Sequence, residues 1–560
     1  MLNQSVTTLY ERRWIVVFAA VVLLITSIPY LLGFTFQDGQ NIFSGFVIGV
    51  EDGNSYIAKM HAGSAGAWLF RTPYTAFPQN GALMFLPYLL LGKLAAAPDI
   101  HVQLVVLFHI FRLFAGFLAI LATYDFLAFF LQDVRTRRFG LVLVILGGGL
   151  GWILMLLGQQ NWLGSLPLDF YSPESFGFLS IFGFPHLTLA RALLLWCLLA
   201  YLRAVRDQSV TVKTVVTLSG LWLLAGIFQP LVMLVIGALI GLHLFGMAIW
   251  LQWKSQSAVL TWQSWRSLLR LWVFSGILPG FLVIYNLWIL WTDPFISSWT
   301  QQNIIKSPHP LHYLLAYGLL LPFAWVGGRR LMRTNPQLGW LPVSWVLMLP
   351  VLAYAPVNLQ RRLPEGIWVA WVLLAMVSLE PPLEQPSHQR YRLLWPSVVL
   401  LLTIPSTVVL IIGGIMSSAN TSPPIFRRAG EIAAFEILRQ EAQVGEVALT
   451  AYDTGNALPA WAPLRVVIGH GPESIHLAPL RSQVADFFSP GTTDAERVGL
   501  LRKFRISYVF WGYAERELGD WDPHQAPYLQ LMYDDNGYSI FKVDLYFTSV
   551  SFINHELIAR

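Results

Sequence analysis

Apolar runs recur along this chain near 14–34, 104–131, 139–158, 181–202, 212–228, 231–251, 270–291, 311–327, 339–356, 366–379 and 394–416. Most are long enough, as helices, to cross the roughly 30 Å of hydrocarbon in a bilayer. Only a helix carries such a run through lipid, because it satisfies its backbone N–H and C=O groups within itself. The reading is therefore a polytopic membrane protein with about eleven crossings. Composition agrees: of 560 residues, 55% are hydrophobic and 12% charged. The net charge of +5 is spread over short loops, which excludes a nucleic-acid-binding face. Cys197 is the only cysteine, so neither an intramolecular disulfide nor a cysteine-rich metal site exists.

Charge sets the expected topology. Glu11-Arg12-Arg13 precedes the first run, which lacks a small-residue cleavage site, so an uncleaved anchor with a cytoplasmic N-terminus is expected. The loop 37–103 then lies outside. A twelfth apolar stretch, 82–97, decides the rest. If it crosses, Arg135, Arg137 and Arg138 fall outside. If it lies along the outer face, the basic loops all fall inside: Arg203, Arg206 and Lys213; Lys254, Arg266 and Arg270; Arg329, Arg330 and Arg333; Arg390 and Arg392. The second arrangement obeys the positive-inside rule, so 82–97 is expected as a juxtamembrane helix and 1–416 as the membrane domain.

Residues 417–560 change character, with more charge and turn signals such as Asp535-Asn536-Gly537. The patterns predict a small extracytoplasmic α/β domain: helices over 429–441, 479–488 and 494–503, strands at 446–452, 465–469 and 506–511, and a hairpin around 528–544. Helices between strands favour a parallel or mixed sheet with covered faces. Ser422-Pro423-Pro424 reads as a stiff linker. No glycine-rich phosphate loop follows a strand, which argues against nucleotide binding.

The loops expected outside hold the candidate chemistry. The first opens Val50-Glu51-Asp52-Gly53-Asn54-Ser55-Tyr56 and goes on to Lys59, His61 and Arg71. The loop 159–180 carries Asp169 and Glu174 and leads to His186. The loop 292–310 holds Asp293, Trp299, Lys306 and His309, and a short one holds Arg361, Arg362 and Glu365. Two adjacent arginines at an outer membrane edge violate the charge rule, and guanidinium forks suit phosphate oxygens. The competing role is pairing with Glu365 and lipid headgroups. For Glu51 and Asp52, the competing role is a cap and first-turn acid on a helix over 54–63. His470 ends a strand before Gly471-Pro472-Glu473, a position where ligands often meet α/β sheets, but taken alone it reads as a loop residue.

Glu51-Asp52 with Tyr56-Ile57-Ala58, and Phe77-Pro78 leading into Phe85-Leu86-Pro87-Tyr88-Leu89-Leu90-Leu91-Gly92, resemble the start of C-class (GT-C) glycosyltransferases, polytopic enzymes that use polyprenyl-phosphate sugars. Phe184-Pro185-His186, the 299–303 stretch, Gln360-Arg361-Arg362, Ile468-Gly469-His470 and Tyr508-Val509-Phe510-Trp511-Gly512 are similar to bacterial plasma-membrane members with a C-terminal extracytoplasmic α/β domain. These short motifs spread over most of the chain.

The resemblance implies sugar transfer from a polyprenyl-phosphate donor to an acceptor at the outer membrane face. Asp52 is then the expected base, since the class places a tyrosine four residues after the acid, with Glu51 second. The class usually places its second acid after the aspartate, whereas here Glu51 precedes Asp52 and Gly53 follows. Asp169 and Glu174 are second-site acids. Arg361, Arg362, Lys59 and Arg71 would hold the donor phosphate, and His186, Tyr56 and Trp299 the acceptor. The aromatic rings of Trp68, Tyr74 and Trp299 suit stacking on sugar faces. Glu51 and Asp52 with Asp169 or Glu174 would offer an oxygen shell to a divalent cation. A transporter or flippase would need ionisable groups near the midplane, where only Arg112, Asp125 and Arg191 qualify. A scaffold with an outer binding domain would tolerate loss of both first-loop acids.

Overall fold

The structure is a computed structural model that describes residues 7–253, 261–380 and 394–544. The chain divides into two compact units. One draws on Met1–Ile28, Ile110–Trp288 and Ile304–Gly413, the other on Pro29–His109, Ile289–Asn303 and Gly414–Arg560.

Among the described residues, nine helices are long and apolar enough to span a membrane: Leu9–Phe36, Ile100–Phe130, Pro185–Asp207, Pro230–Gln252, Trp262–Thr292, Pro310–Thr334, Pro336–Ala353, Gln360–Leu379 and Ser397–Ala419. These coincide with nine of the expected crossings. A tenth is Val212–Phe228, whose 17 residues reach about 26 Å. The eleventh, 139–158, is broken into Val134–Leu146 and Gly151–Leu156. Its glycines, Gly147, Gly148 and Gly149, stand at the break. The expected helix over 82–97 is shorter, Leu86–Gly92, because Phe85 enters it in the left-handed region at φ 51°. Seven residues span only about 10 Å, too little to cross a bilayer. Lys254, Arg390 and Arg392 lie outside the described residues.

In the first unit, Ile367–Leu379 is apolar all round and nearly all buried, as an inner helix must be. The Pro310–Thr334 span packs on it so closely that a Cβ at Gly327 would lie 1.8 Å from the Leu374 carbonyl oxygen. Small residues allow such approaches between helices in lipid, where packing replaces the hydrophobic drive. Charges in these helices are locally paired: Glu11 with Arg137 at 2.8 Å, Arg12 with Asp125 at 2.7 Å, and Arg191 with Glu365 at 2.7 Å. Arg112 donates to the Thr26 and Ser27 hydroxyls. The ionisable residues that a transporter reading needs are thus engaged in helix-to-helix bonds.

The second unit starts with β1 (Asn41–Phe43), which pairs antiparallel with β2 (Phe426–Arg428). The C-terminal sheet contains β3 (Val447–Leu449), β4 (Arg465–Val466), β5 (Ile506–Trp511), β6 (Leu529–Asp535) and β7 (Tyr538–Val543) in the order β4-β3-β5-β7-β6. β4, β3 and β5 run parallel, whereas β7 and β6 are antiparallel, a mixed sheet as expected. The Asn536-Gly537 turn has φ of 50° and 79°, the double positive that tight hairpins require. Side-chain alternation gives two cores. Val509 and Phe541 point into one with Val484, Phe488 and Leu501, while Tyr508, Phe510 and Ile540 point into the other with Phe435, Leu438 and Leu458. Ala58 and Tyr74 of the first loop complete the second core.

Helices Ala429–Glu441, Leu477–Phe488 and Asp494–Phe504 stand where the pattern predicts them. The strands at 446–452 and 465–469 shorten to 447–449 and 465–466. The longest helix of this region that the sequence pattern misses is Tyr452–Trp461, because it contains Gly455 and Pro459. Gly455 is needed there: its Cβ would stand 2.2 Å from the Ile468 carbonyl oxygen.

Candidate functional site

The acidic pair lies on the helix Val50–Ser64, which begins after Gly49 in the left-handed region and has no side-chain cap. Glu51 and Asp52 sit in its first turn, where negative charge complements the helix dipole. The helix thus starts four residues before the expected 54, and the two acids diverge from there. Glu51 turns toward the C-terminal region: its Oε1 accepts from the Gly471 N–H at 2.9 Å and from the Tyr452 hydroxyl. Its backbone oxygen accepts from Asn456 at 3.3 Å, and Asn54 donates to the same asparagine at 2.8 Å. Burial, then the bond to Glu51, pushes the Tyr452 hydroxyl well above its ordinary range, so it stays a donor. Glu51 is therefore a latch between helices.

Asp52 is different. Its side chain is 48% exposed, and its Oδ1 stands 3.2 Å from Nε2 of His470, itself only 5% exposed. Behind the ring, Nδ1 lies 3.4 Å from Oε1 of the buried Glu473. That carboxylate accepts from Lys59 at 2.6 Å, from Ser55 at 2.7 Å and from the Thr72 hydroxyl. Burial alone would raise the Glu473 carboxyl, but Lys59 and then His470 outweigh it and hold it below the usual carboxylate range. Spacing builds the row: Asp52, Ser55 and Lys59 recur at three and four residues on one helix face. His470 and Glu473 are three apart in a turn closed by the Glu473 N–H donating to the His470 carbonyl at 3.0 Å.

Other expected residues of this unit fall elsewhere. Lys59 is 1% exposed, committed to Glu473 and ringed by aromatics, with the Phe85 centroid 4.5 Å from Nζ. That removes it from the donor-phosphate set, since its charge is already neutralised away from solvent. Arg71 is exposed and donates to the Asn80 carbonyl. Tyr56 stacks on Tyr88 with centroids 4.8 Å apart. Trp299 packs beside Phe295, Phe70 and Phe85. Tyr74 is fully buried, so no sugar stacks on it, whereas Trp68 is 64% exposed beneath Lys93.

The remaining candidates belong to the membrane unit. Asp169 is buried at the broken helix, where its Oδ2 accepts from the Gly151 N–H at 2.9 Å and from Ser406 at 2.7 Å. Burial pushes its carboxyl up to about 6, against the pull of those donors. Its work is to satisfy the backbone that the glycine run leaves open, which corrects its reading as a second-site acid. Glu174 is also buried and pairs with Arg362 at 3.4 Å. Glu365 bonds Arg191, so the expected pairing of the two arginines with Glu365 is replaced by Glu174 for Arg362 and the Tyr171 ring, 4.4 Å away, for Arg361. Both arginines remain partly exposed as residues. His186 is half-buried in the first turn of Pro185–Asp207.

Among the described residues, no group of three His, Cys, Asp or Glu side chains is placed to hold a metal. The oxygens expected to complete a cation shell are engaged, those of Asp169 by Gly151 and Ser406 and those of Glu174 by Arg362 and Ser172. The residues therefore do not fit the divalent cation. The sequence pattern underestimated His470 and left out Tyr452, Asn456 and Glu473. For His470 and Glu473 the signal was the His-Gly-Pro-Glu turn after a strand, whereas Tyr452 and Asn456 lie on the helix the pattern missed.

No family model and no curated protein matches the sequence. Solved structures do. The chain resembles the archaeal oligosaccharyltransferase AglB from Archaeoglobus fulgidus, solved with an inhibitory peptide and a dolichol-phosphate, at 12% identity and a TM-score of 0.51 over 96% of this chain and 75% of that one. It resembles ArnT from Cupriavidus metallidurans bound to undecaprenyl phosphate at 13% identity and 0.51, over 94% and 98%. The arabinofuranosyltransferase AftD from mycobacteria matches at 16% identity and 0.55, with 95% of this chain against 40% of that one. At these identities the likeness is one of fold: an integral membrane protein with the GT-C architecture.

Proposed function

We propose that this protein is a membrane glycosyltransferase that moves a sugar from a polyprenyl-phosphate-linked donor to an acceptor hydroxyl at the outer membrane face. One observation carries the reading: on a GT-C fold, Asp52 is the member of the adjacent first-loop acid pair that keeps a half-exposed carboxylate, while Glu51 beside it is tied to Tyr452 and Gly471. The neighbours in fold include proteins solved with dolichol-phosphate and with undecaprenyl phosphate, which supports a lipid-linked donor here.

In this reading the acceptor oxygen attacks the anomeric carbon from the face opposite the phosphate. Asp52 takes the acceptor proton, the bond from the anomeric carbon to the phosphate oxygen breaks, and its electron pair leaves with the polyprenyl phosphate. Arg361 and Arg362, both partly exposed residues, are the proposed ligands of the donor phosphate. Guanidinium stays charged at any working pH and matches phosphate oxygens in pairs. The C-terminal region lies outside the membrane in the same reading, together with the first loop.

The test is turnover of a panel of polyprenyl-phosphate sugars by the full chain in lipid. Loss of a general base costs about 10²- to 10⁴-fold, so Asp52→Asn is expected to fall by at least that lower bound. Glu51→Gln keeps an acceptor for Gly471 and is expected to lose far less. Equal turnover by wild type and Asp52→Asn overturns the assignment of the base. Absence of turnover with every donor overturns the transferase itself.

A further inference from the structure

We propose that His470 is the positioning residue of Asp52, a buried ring held between the half-exposed Asp52 and the buried Glu473 that fixes the plane in which Asp52 meets the acceptor. The inference rests on the transferase reading and adds a residue from the C-terminal region to it.

The geometry orients the ring. At 3.2 Å from a carboxylate oxygen, Nε2 must carry a hydrogen to bond Asp52. The other nitrogen, Nδ1, is buried 3.4 Å from Glu473 Oε1 and makes no hydrogen bond. The ring thus stands between two carboxylates, Asp52 in front and Glu473 behind, and Glu473 is neutralised in turn by Lys59. That buried pair satisfies itself, as buried ions must.

The ring has little room to swing. Its centroid lies 5.4 Å from that of Tyr74, a fully buried side chain. Its backbone N–H donates to Ser474 Oγ at 3.2 Å, and the same hydroxyl accepts from Gly469 and donates to the Tyr74 carbonyl. The ionisable groups around this point are Asp52 and Glu51 from the first-loop helix, Lys59 two turns on, Tyr74 from the same loop, Glu473 from the histidine's own turn, and Tyr452. His470 exchanges no electrons. The acceptor proton ends on Asp52, and the histidine holds the carboxylate that receives it.

The test uses the full chain in nanodiscs. His470→Leu is expected to lower kcat by tenfold or more with KM changed less than threefold, and to move the acid limb of the kcat profile to higher pH. The direction follows from the lost donor: an N–H bonded to a carboxylate favours its charged form, so removing it favours the protonated acid. A purely structural histidine would lower the amplitude and leave the limb in place, so an unmoved limb, or a loss confined to KM, overturns the proposal while Asp52 stands as base. A second measurement needs no turnover. In histidine-labelled protein, the imidazole resonance that disappears in His470→Leu is expected to change its chemical shift at fixed pH in Asp52→Asn. An unmoved resonance overturns the pairing whatever the enzyme assay gives. Wild-type inactivity with every donor overturns the catalytic role along with the transferase reading.

Discussion

At the scale of single residues, the decisive contrast is between charges the protein consumes and charges it leaves accessible. Lys59 and Glu473 are each almost fully buried and satisfy one another, so removing one leaves the other charged in a poor dielectric. Glu473→Gln is expected to destabilise the fold by about 3–5 kcal/mol, measured by chemical denaturation, and Lys59→Met with Glu473→Leu to recover much of it. Because the folded-state carboxyl of Glu473 lies below its ordinary 4.5, its contribution is complete above that pH and is lost as pH falls through the lower folded value. Wild-type melting temperature should therefore drop on acidification more steeply than that of Glu473→Gln. Asp169 has the opposite sign. Its carboxyl is raised to about 6 from 3.8, so its contribution is fully present below 3.8 and is lost as pH rises through about 6. Asp169→Asn keeps an acceptor for Gly151 and Ser406, and its stability should not decline across that window. None of these pairings was legible in sequence, because an isolated Lys, Glu or Asp code is the same whether its partner lies 4 or 400 positions away.

At the scale of elements, legibility follows from whether the local pattern and the tertiary demand agree. Residues 429–441 and 506–511 form the predicted helix and strand to the residue, since apolar period and core face coincide there. Tyr452–Trp461 does not announce itself: Gly455 and Pro459 lower helix propensity, and packing overrides it. The helices Val50–Ser64 and Leu86–Gly92 meet through reciprocal glycines. A Cβ on Gly92 would stand 1.8 Å from the Met60 carbonyl oxygen, and one on Gly63 would stand 2.1 Å from that of Leu89. Backbone cannot yield as a flexible side chain can. Gly92→Val is expected to cost about 2 kcal/mol or more in denaturation, whereas Gly39→Ala, which meets nothing within 4 Å, should not register.

At the scale of the whole molecule, orientation across the bilayer is the testable consequence of the charge pattern. With Cys197 replaced by alanine, Gly499→Cys and Gly66→Cys should react with an impermeant thiol reagent in intact cells, and Ser209→Cys only after permeabilisation. Reaction of Ser209→Cys in intact cells would invert the topology. Sequence sufficed for the membrane class, for the eleven apolar segments and for most of the C-terminal α/β pattern. Each of these is written in local periodicity and in the cost of exposing backbone to lipid. The roles of the two adjacent acids were a matter of long-range packing. Glu51 finds its partners some 400 residues onward in Tyr452 and Gly471, while Asp52 finds His470 and keeps a half-exposed carboxylate. One helical residue turns a side chain by 100°, so neighbours in sequence face different surroundings, and only folding says which surroundings those are.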